Sequence, residues 1–314
     1  MFRKKLTHVI IWWIVLLLVT VMFGDVSIAA TDAGRTSADF LLIGAGARAA
    51  SMGGAYATIC EDATSAYWNP SGLAAVEHYE VSLGHFAWYQ DITVEQATAA
   101  FPVADAFTVA AHITYVNYGT IEGYDISGVS TGELTVYDWV AGLSIGHQLD
   151  ERFSVGITGK FVNQKLDSYG ASAFAADVGI RYTHERFTIA AVLTNIGSKL
   201  KFDQTAEKLP SAFKFGLAAR PFDAAAVTSL EFEKRLSGDL LVHQGFEFGF
   251  DDQYYLRAGY DYLPSQNGRS LATCITIGAG VRFDLAEIDY AFSPNDKSTS
   301  EDLHRFSVTF RFGQ

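Results

Sequence analysis

Four kinds of residue pattern in this chain could do chemistry, and the surroundings of each decide whether it does. Gly44-Ala-Gly46-Ala-Arg-Ala49 follows the apolar run Phe40 to Ile43, and its glycine spacing matches a dinucleotide-binding turn, with Asp62 near the distance suited to a ribose hydroxyl. Such a turn works by setting a helix N-terminus against a pyrophosphate within a βαβ unit. The following strand and the later alternating helices are missing, so no cofactor is expected. Gly142-Leu-Ser144-Ile-Gly146 has the spacing of a nucleophile elbow but lies inside an alternating strand with no helix after it. The eight histidines (His8, His78, His85, His112, His147, His184, His243, His304) are dispersed, without metal-ligand spacing. The paired carboxylates Asp251-Asp252 and Glu301-Asp302 fall at turns, where solvation is the default and calcium the sharper alternative. The chain reads as a protein without catalytic, cofactor or metal residues. An outer-membrane lipase or protease built from dispersed residues is the minor alternative.

The N-terminus sets the compartment. Arg3, Lys4 and Lys5 precede an apolar run from Val9 to Phe23, followed by Ser27 and Ala29 in the spacing that signal peptidase accepts. The run is short for a membrane anchor, which needs roughly 20 apolar residues. Residues 1–30 are therefore expected to be a signal peptide. The chain holds 23 Lys+Arg and 35 Asp+Glu, net −12, and losing three basic groups and Asp25 with residues 1–30 leaves −14. That acidity argues against a nucleic-acid partner. It fits a cationic partner, or interior carboxylates facing water. Cys60 and Cys274 could pair after export or stay as thiols.

The elements that carry these residues share one repeated period. The chain is 49% hydrophobic and 14% aromatic, with 28 glycines and 6 prolines, yet the apolar residues alternate with polar and small ones. In the last segment Phe306, Val308, Phe310 and Phe312 share one face, and Ser307, Thr309, Arg311 and Gly313 the other. Phe174 to Tyr182 and Ile275 to Phe283 do the same, as does Leu240 to Phe250 with a register irregularity at Gln244. Mid-strand charges (Lys160, Asp177, Arg181, Lys214, Arg257, Arg282, Arg311) lie on the polar faces. With an export signal, this pattern predicts a transmembrane antiparallel β-barrel of about 14 strands over residues 77–314, apolar toward lipid and polar toward the lumen. The strands centre near Val81, Ala97, Ala111, Ala141, Ile157, Val178, Ala190, Phe215, Ser229, Phe246, Ala258, Ile277, Ile288 and Val308. Short links at 149–152 and 184–186 read as periplasmic turns, and longer ones at 119–132, 197–209, 264–270 and 294–302 as outer loops. Aromatics at strand ends (Phe86, Trp88, Tyr89; Tyr115, Tyr118; Tyr254, Tyr255, Tyr260, Tyr262) read as headgroup girdles.

Residues 31–76 differ in kind, being rich in glycine and alanine between Gly44 and Tyr56 with the single charge Arg48. Small residues let backbone run close to backbone, as a luminal plug must, and Arg48 is expected to meet luminal carboxylates. Asn69-Pro70 reads as an N-cap followed by proline at the first position of a short helix. The run containing Gly44, Gly46, Arg48, Met52, Gly53 and Gly54, followed by Asp62 and by Trp68-Asn69-Pro70-Ser71-Gly72, resembles the PorV/PorQ family, itself similar to FadL-type (OmpP1/TodX) transporters. Ser71 stands where the transporters usually carry alanine. The resemblance implies a fourteen-stranded barrel in the bacterial outer membrane with an N-terminal hatch in its lumen. It also implies a role in type IX secretion, with translocon or surface-attachment proteins as partners. FadL-like relatives imply passive uptake of hydrophobic small molecules instead, and a sealed barrel anchoring partners is a third reading.

Overall fold

The two-residue period seen along the sequence closes into one sheet. The computed structural model describes residues 36–88, 91–104, 106–202, 205–221, 225–236, 238, 240–262, 274–294 and 302–313. The expected signal peptide at 1–30, Tyr89, the link 264–270 and most of 294–302 lie outside them.

Eighteen strands are described. They are β1 (Tyr79–Ala87), β2 (Thr93–Ala104), β3 (Phe107–Asn117), β4 (Ile121–Tyr124), β5 (Ser130–Leu134), β6 (Val136–Gln148), β7 (Phe153–Leu166), β8 (Tyr169–His184) and β9 (Phe187–Gly197), then β10 (Leu200–Phe202), β11 (Thr205–Glu207), β12 (Ala212–Ala219), β13 (Ala226–Arg235), β14 (Leu240–Phe250), β15 (Tyr254–Tyr262), β16 (Ile275–Arg282), β17 (Ala286–Ser293) and β18 (Leu303–Phe312). Fourteen form a closed antiparallel barrel, each pairing with its neighbour in the chain and β1 with β18, so no edge is left to lipid. Every expected strand centre falls within one of the fourteen. The pairs β4–β5 and β10–β11 are separate two-stranded hairpins in the links expected at 119–132 and 197–209, the first reaching on to Leu134. The turns 149–152 and 184–186 lie at one end of the barrel, together with the start of β1 and the end of β18. Both hairpins lie at the other end. Among the described residues, no helix is long and apolar enough to cross a membrane.

Leu143, Phe174, Val178, Ile189, Leu256, Ile277 and Phe306 are exposed on the outer face, where a bilayer would cover them. The inner face carries Glu80, Lys160, Asp177, Arg181, Glu231, Glu247, Arg257 and Glu287, all buried. This corrects one expectation: the luminal charges do not simply face water but meet opposite charges on wall and hatch. A second correction concerns the girdles. Phe86, Trp88, Tyr118 and Tyr255 turn inward, Phe86 to 2% exposure. A third concerns Gln244, whose strand pairs in register with both neighbours, so the residue is a polar side chain on the outer face and no slip occurs. The ladder does shift between β8 and β9 near Ala176 and Val178. There Asn195 adopts a left-handed conformation and its N–H donates to Asp177 Oδ1 at 2.7 Å. Cys60 and Cys274 are both buried and are not joined in a disulfide.

Candidate functional site: the luminal hatch

Residues 36–76 fold inside the lumen as short pieces: the 3₁₀ turn Asp39–Leu42, the helices Ala47–Ser51 and Ser65–Trp68, and the 3₁₀ helix Pro70–Ala75. None is long enough to be stable alone; the wall holds each in place. Asn69 caps the last piece as expected, its Oδ1 accepting from Ser71 N at 3.1 Å and from Ser71 Oγ at 2.7 Å, while its Nδ2 donates to Ala57 O at 2.9 Å.

Arg48 is the hatch's electrostatic pin. Its Nε and Nη2 donate to the two carboxylate oxygens of Glu247 at 2.8 and 2.7 Å, and Nη1 lies 3.5 Å from Asp62. A two-pronged contact of this kind fixes orientation as well as charge. Asp62 also accepts from Tyr56 Oη at 2.5 Å and from Thr64 N at 2.9 Å. Burial alone would push the guanidinium of Arg48 down, but Glu247, Tyr56 and Glu287 together outweigh it and hold the group above the ordinary arginine value. Nearby, Glu61 meets Arg181 of β8 and, at 2.7 Å, Arg220 at the end of β12. Burial raises Glu61, yet the two arginines win and hold it below the ordinary carboxylate range. Burial pushes the Cys60 thiol up to about 12.

The glycine-rich run buys backbone proximity. Gly53 adopts φ +65°, and a Cβ there would come within 2.6 Å of Tyr260 N. Gly46 adopts φ +80°, and its N–H donates to Gln96 Oε1 at 3.1 Å. Gly44 lies under the Trp68 ring, whose Nε1 donates to Ala45 O at 2.9 Å. Gly54 lies against His243, Met52 is fully buried, and Gly72 leaves no room for a side chain beside Cys60.

The candidate residues therefore do not converge on one point. Gly44, Gly46, Arg48, Asp62 and Trp68 lie centrally. Met52, Gly53 and Gly54 press on β14 and β15, while Asn69, Pro70 and Gly72 belong to the part lying against β6–β8. A small polar cavity of about 10 Å³ between Arg48, Asp62, Glu287 and Arg311 has room for about one water.

Sequence reasoning missed the wall's half of this contact. Gly156, Gly179, Gly245 and Gly259 sit on the inner face, where a Cβ would strike Pro70, Asn69, Met52 and Gly53 respectively. Their signal was glycine on the polar parity of strands, where a charge or threonine is otherwise usual. Ser144, centre of the elbow-like motif, points inward and shares a hydrogen bond of 2.8 Å with Thr158.

Toward the hairpin end the lumen changes character. Phe40, Leu41 and Ile43 pack among Phe86, Val94, Val116, Val140 and Val162, with Leu200 and Leu209 from the β10–β11 link. The Tyr67 hydroxyl lies 2.8 Å from Leu41 O and 2.5 Å from Ile43 O. Thr36 bridges in parallel to Lys208, and Ser37 N donates to Lys208 O at 3.0 Å. The hatch thus runs from the turn end up to the hairpin end, filling both halves.

The sequence profile described as "Type IX secretion system protein PorV" matches residues 28–224. Among solved structures, the chain is similar to the toluene transporter TbuX of Ralstonia pickettii, with TM-score 0.64, 14% identity, and coverage of 87% of this chain and 100% of that one. It is also similar to the toluene transporter TodX of Pseudomonas putida, with TM-score 0.60, 14% identity, and coverage of 85% and 98%. A FadL homologue of Pseudomonas aeruginosa gives TM-score 0.58, 12% identity, and coverage of 85% and 98%. At such identities the likeness carries the fold alone. No curated protein sequence matches the chain. Closed barrel, apolar exterior and a profile match across well over half the sequence lead to one conclusion: this chain belongs to the PorV family and is an outer-membrane β-barrel of that family.

Proposed function

We propose that this barrel serves protein export or surface attachment of the type IX kind, engaging translocon or attachment proteins at its hairpin end and conducting nothing through its lumen. The observation that carries the reading is the family match over residues 28–224. The filled lumen supports it, because what remains for a partner is the outer rim. There the β4–β5 hairpin presents Tyr124, Ile126 and Val129, all exposed. The protein acts by binding and has no catalytic role, and residues 1–30 direct its export. Deleting the gene in a host with type IX translocon genes is expected to stop cargo secretion, and affinity purification from native outer membranes is expected to bring down translocon or attachment proteins. Unchanged secretion in the deletion strain contradicts the proposal.

A second reading, passive transport of hydrophobic small molecules, is favoured by the apolar region around Phe40, Phe86 and Val116. It requires the segment Ala38–Ile43 to leave its seat. Purification of the barrel with an apolar ligand in place of Phe40 and Leu41 would favour it over export.

A further inference from the structure

Cations on the inner wall meet acids: Lys160 pairs with Asp177, Lys214 with Glu233 and Arg311 with Glu80. The β10–β11 hairpin at the mouth of the lumen does the opposite. Leu200 stands across from Glu207 and Lys201 from Ala206, and the same register carried one residue on sets Lys199 across from Lys208. The two-residue period then divides the hairpin into two faces. Leu200 and Leu209 are buried among Phe40, Ala171 and Ala173. The other face presents Lys199, Lys201 and Lys208, all exposed. None of the three side chains makes an ion pair or hydrogen bond among the described residues, and Lys208 serves the hatch through its backbone alone. The one acid of β10 and β11, Glu207, shares the face of Leu200. Like charges side by side on a small sheet repel one another, and these stand on a chain whose net charge is −12.

Such a face is complementary to a run of acids. An extended chain sets every second side chain on one face, about 6.5–7 Å apart, and the same two-residue step separates Lys199 from Lys201. The β4–β5 hairpin at the same end carries Glu122, Asp125 and Glu133, all exposed, and turns an acidic segment away from itself. We propose that the lysine face of β10–β11 docks an extended acidic segment of a partner protein, its alternate carboxylates set against Lys199, Lys201 and Lys208. This docking gives the export partner its recognition chemistry and so rests on the export reading, while the binding itself can be measured without it.

The test titrates the full detergent-solubilised barrel with a decapeptide of alternating glutamate and threonine, its glutamine–threonine counterpart and inorganic phosphate, threonine favouring an extended chain. Exposed ion pairs are each worth little, so three together are expected to favour the acidic peptide by about tenfold at low salt. High salt should erase that preference. The triple variant Lys199→Gln, Lys201→Gln, Lys208→Gln removes no ion pair or hydrogen bond from the barrel; it is expected to lose the preference and, in the native host, to lower cargo secretion several-fold. Equal binding of the two peptides, or a preference that survives the triple variant, overturns the assignment. Phosphate competing as well as the acidic peptide also overturns it, marking a site for compact anions. So does a dimer of the purified barrel that dissociates in the triple variant, because a second copy then covers the face with its acidic β4–β5 hairpin. Normal secretion by the triple variant beside a deletion strain that fails to secrete overturns the docking and leaves the export role standing. Normal secretion by the deletion strain overturns the export role instead, and the peptide titration still decides the face.

Discussion

The two halves of the lumen are closed by different physics. Near the turn end, hatch and wall meet through ion pairs and backbone-to-backbone contacts: Arg48 on Glu247, Glu61 on Arg181 and Arg220, Gly53 against Gly259. Near the hairpin end, Phe40, Leu41 and Ile43 fill an apolar ring of valines and Phe86. The first kind of seal is specific and brittle, because a group deprived of its partner is left buried and charged. The second is tolerant, because apolar contacts lose strength in proportion to the volume removed. Together the two seals give the hatch orientation from one and closure from the other.

The largest effect should come from filling a wall socket. Gly259→Val places a side chain in the space held by Met52 and Gly53, and is expected to unseat the hatch while the barrel still closes. Limited proteolysis should then cut within residues 36–76. Gly159→Val, where nothing lies within 4 Å of a Cβ on the exposed outer face, should leave the pattern unchanged. Phe40→Ala tests the apolar seal; loss of a buried phenylalanine costs about 3–5 kcal/mol, and thermal melting in detergent should fall without exposing the hatch's Arg48 end.

Arg48→Ala should cost about 2–3 kcal/mol, toward the lower end for breaking a buried pair because Arg257 still neutralises Glu247. Arg48→Lys, which keeps the charge but not the fork, should recover part of it. The smallest effect is that of pH. Glu61 is held below its ordinary range, so its contribution is fully present above that range and lost as pH falls through the lowered value. Melting should therefore decline as pH falls below the ordinary glutamate value of 4.5 in the wild type and decline less in Glu61→Gln, with Phe40→Ala showing the wild-type slope.

How much of this was legible follows from what each residue must satisfy. The fourteen strands were legible because lipid imposes the same alternation on every one of them, and Arg48 because a lone cation in a small-residue run needs acids. The girdle reading of Phe86 and Tyr255 went wrong by trusting residue type over parity. Phe86 shares its face with Glu80 and Ser82, and Tyr255 with Arg257, so the two-residue period already pointed both rings inward. The wall glycines were legible only in part, since parity sets them on the inner face without naming what they meet. A glycine at 156 or 259 acquires its meaning from Pro70 or Gly53 across the lumen, and no local pattern contains that partner.

The central claim is that this barrel works with its lumen shut. The most direct measurement locks the hatch to the wall: Ser51→Cys with Thr276→Cys, adjacent through the hydrogen bond from Thr276 Oγ1 to Ser51 O at 3.1 Å, in a Cys60→Ser, Cys274→Ser background. Cargo secretion is then followed in the native host under oxidising and reducing conditions. The account predicts equal secretion in both states, with the crosslink verified by mass. Secretion that stops on oxidation and returns on reduction would show that the hatch must move, and would contradict it.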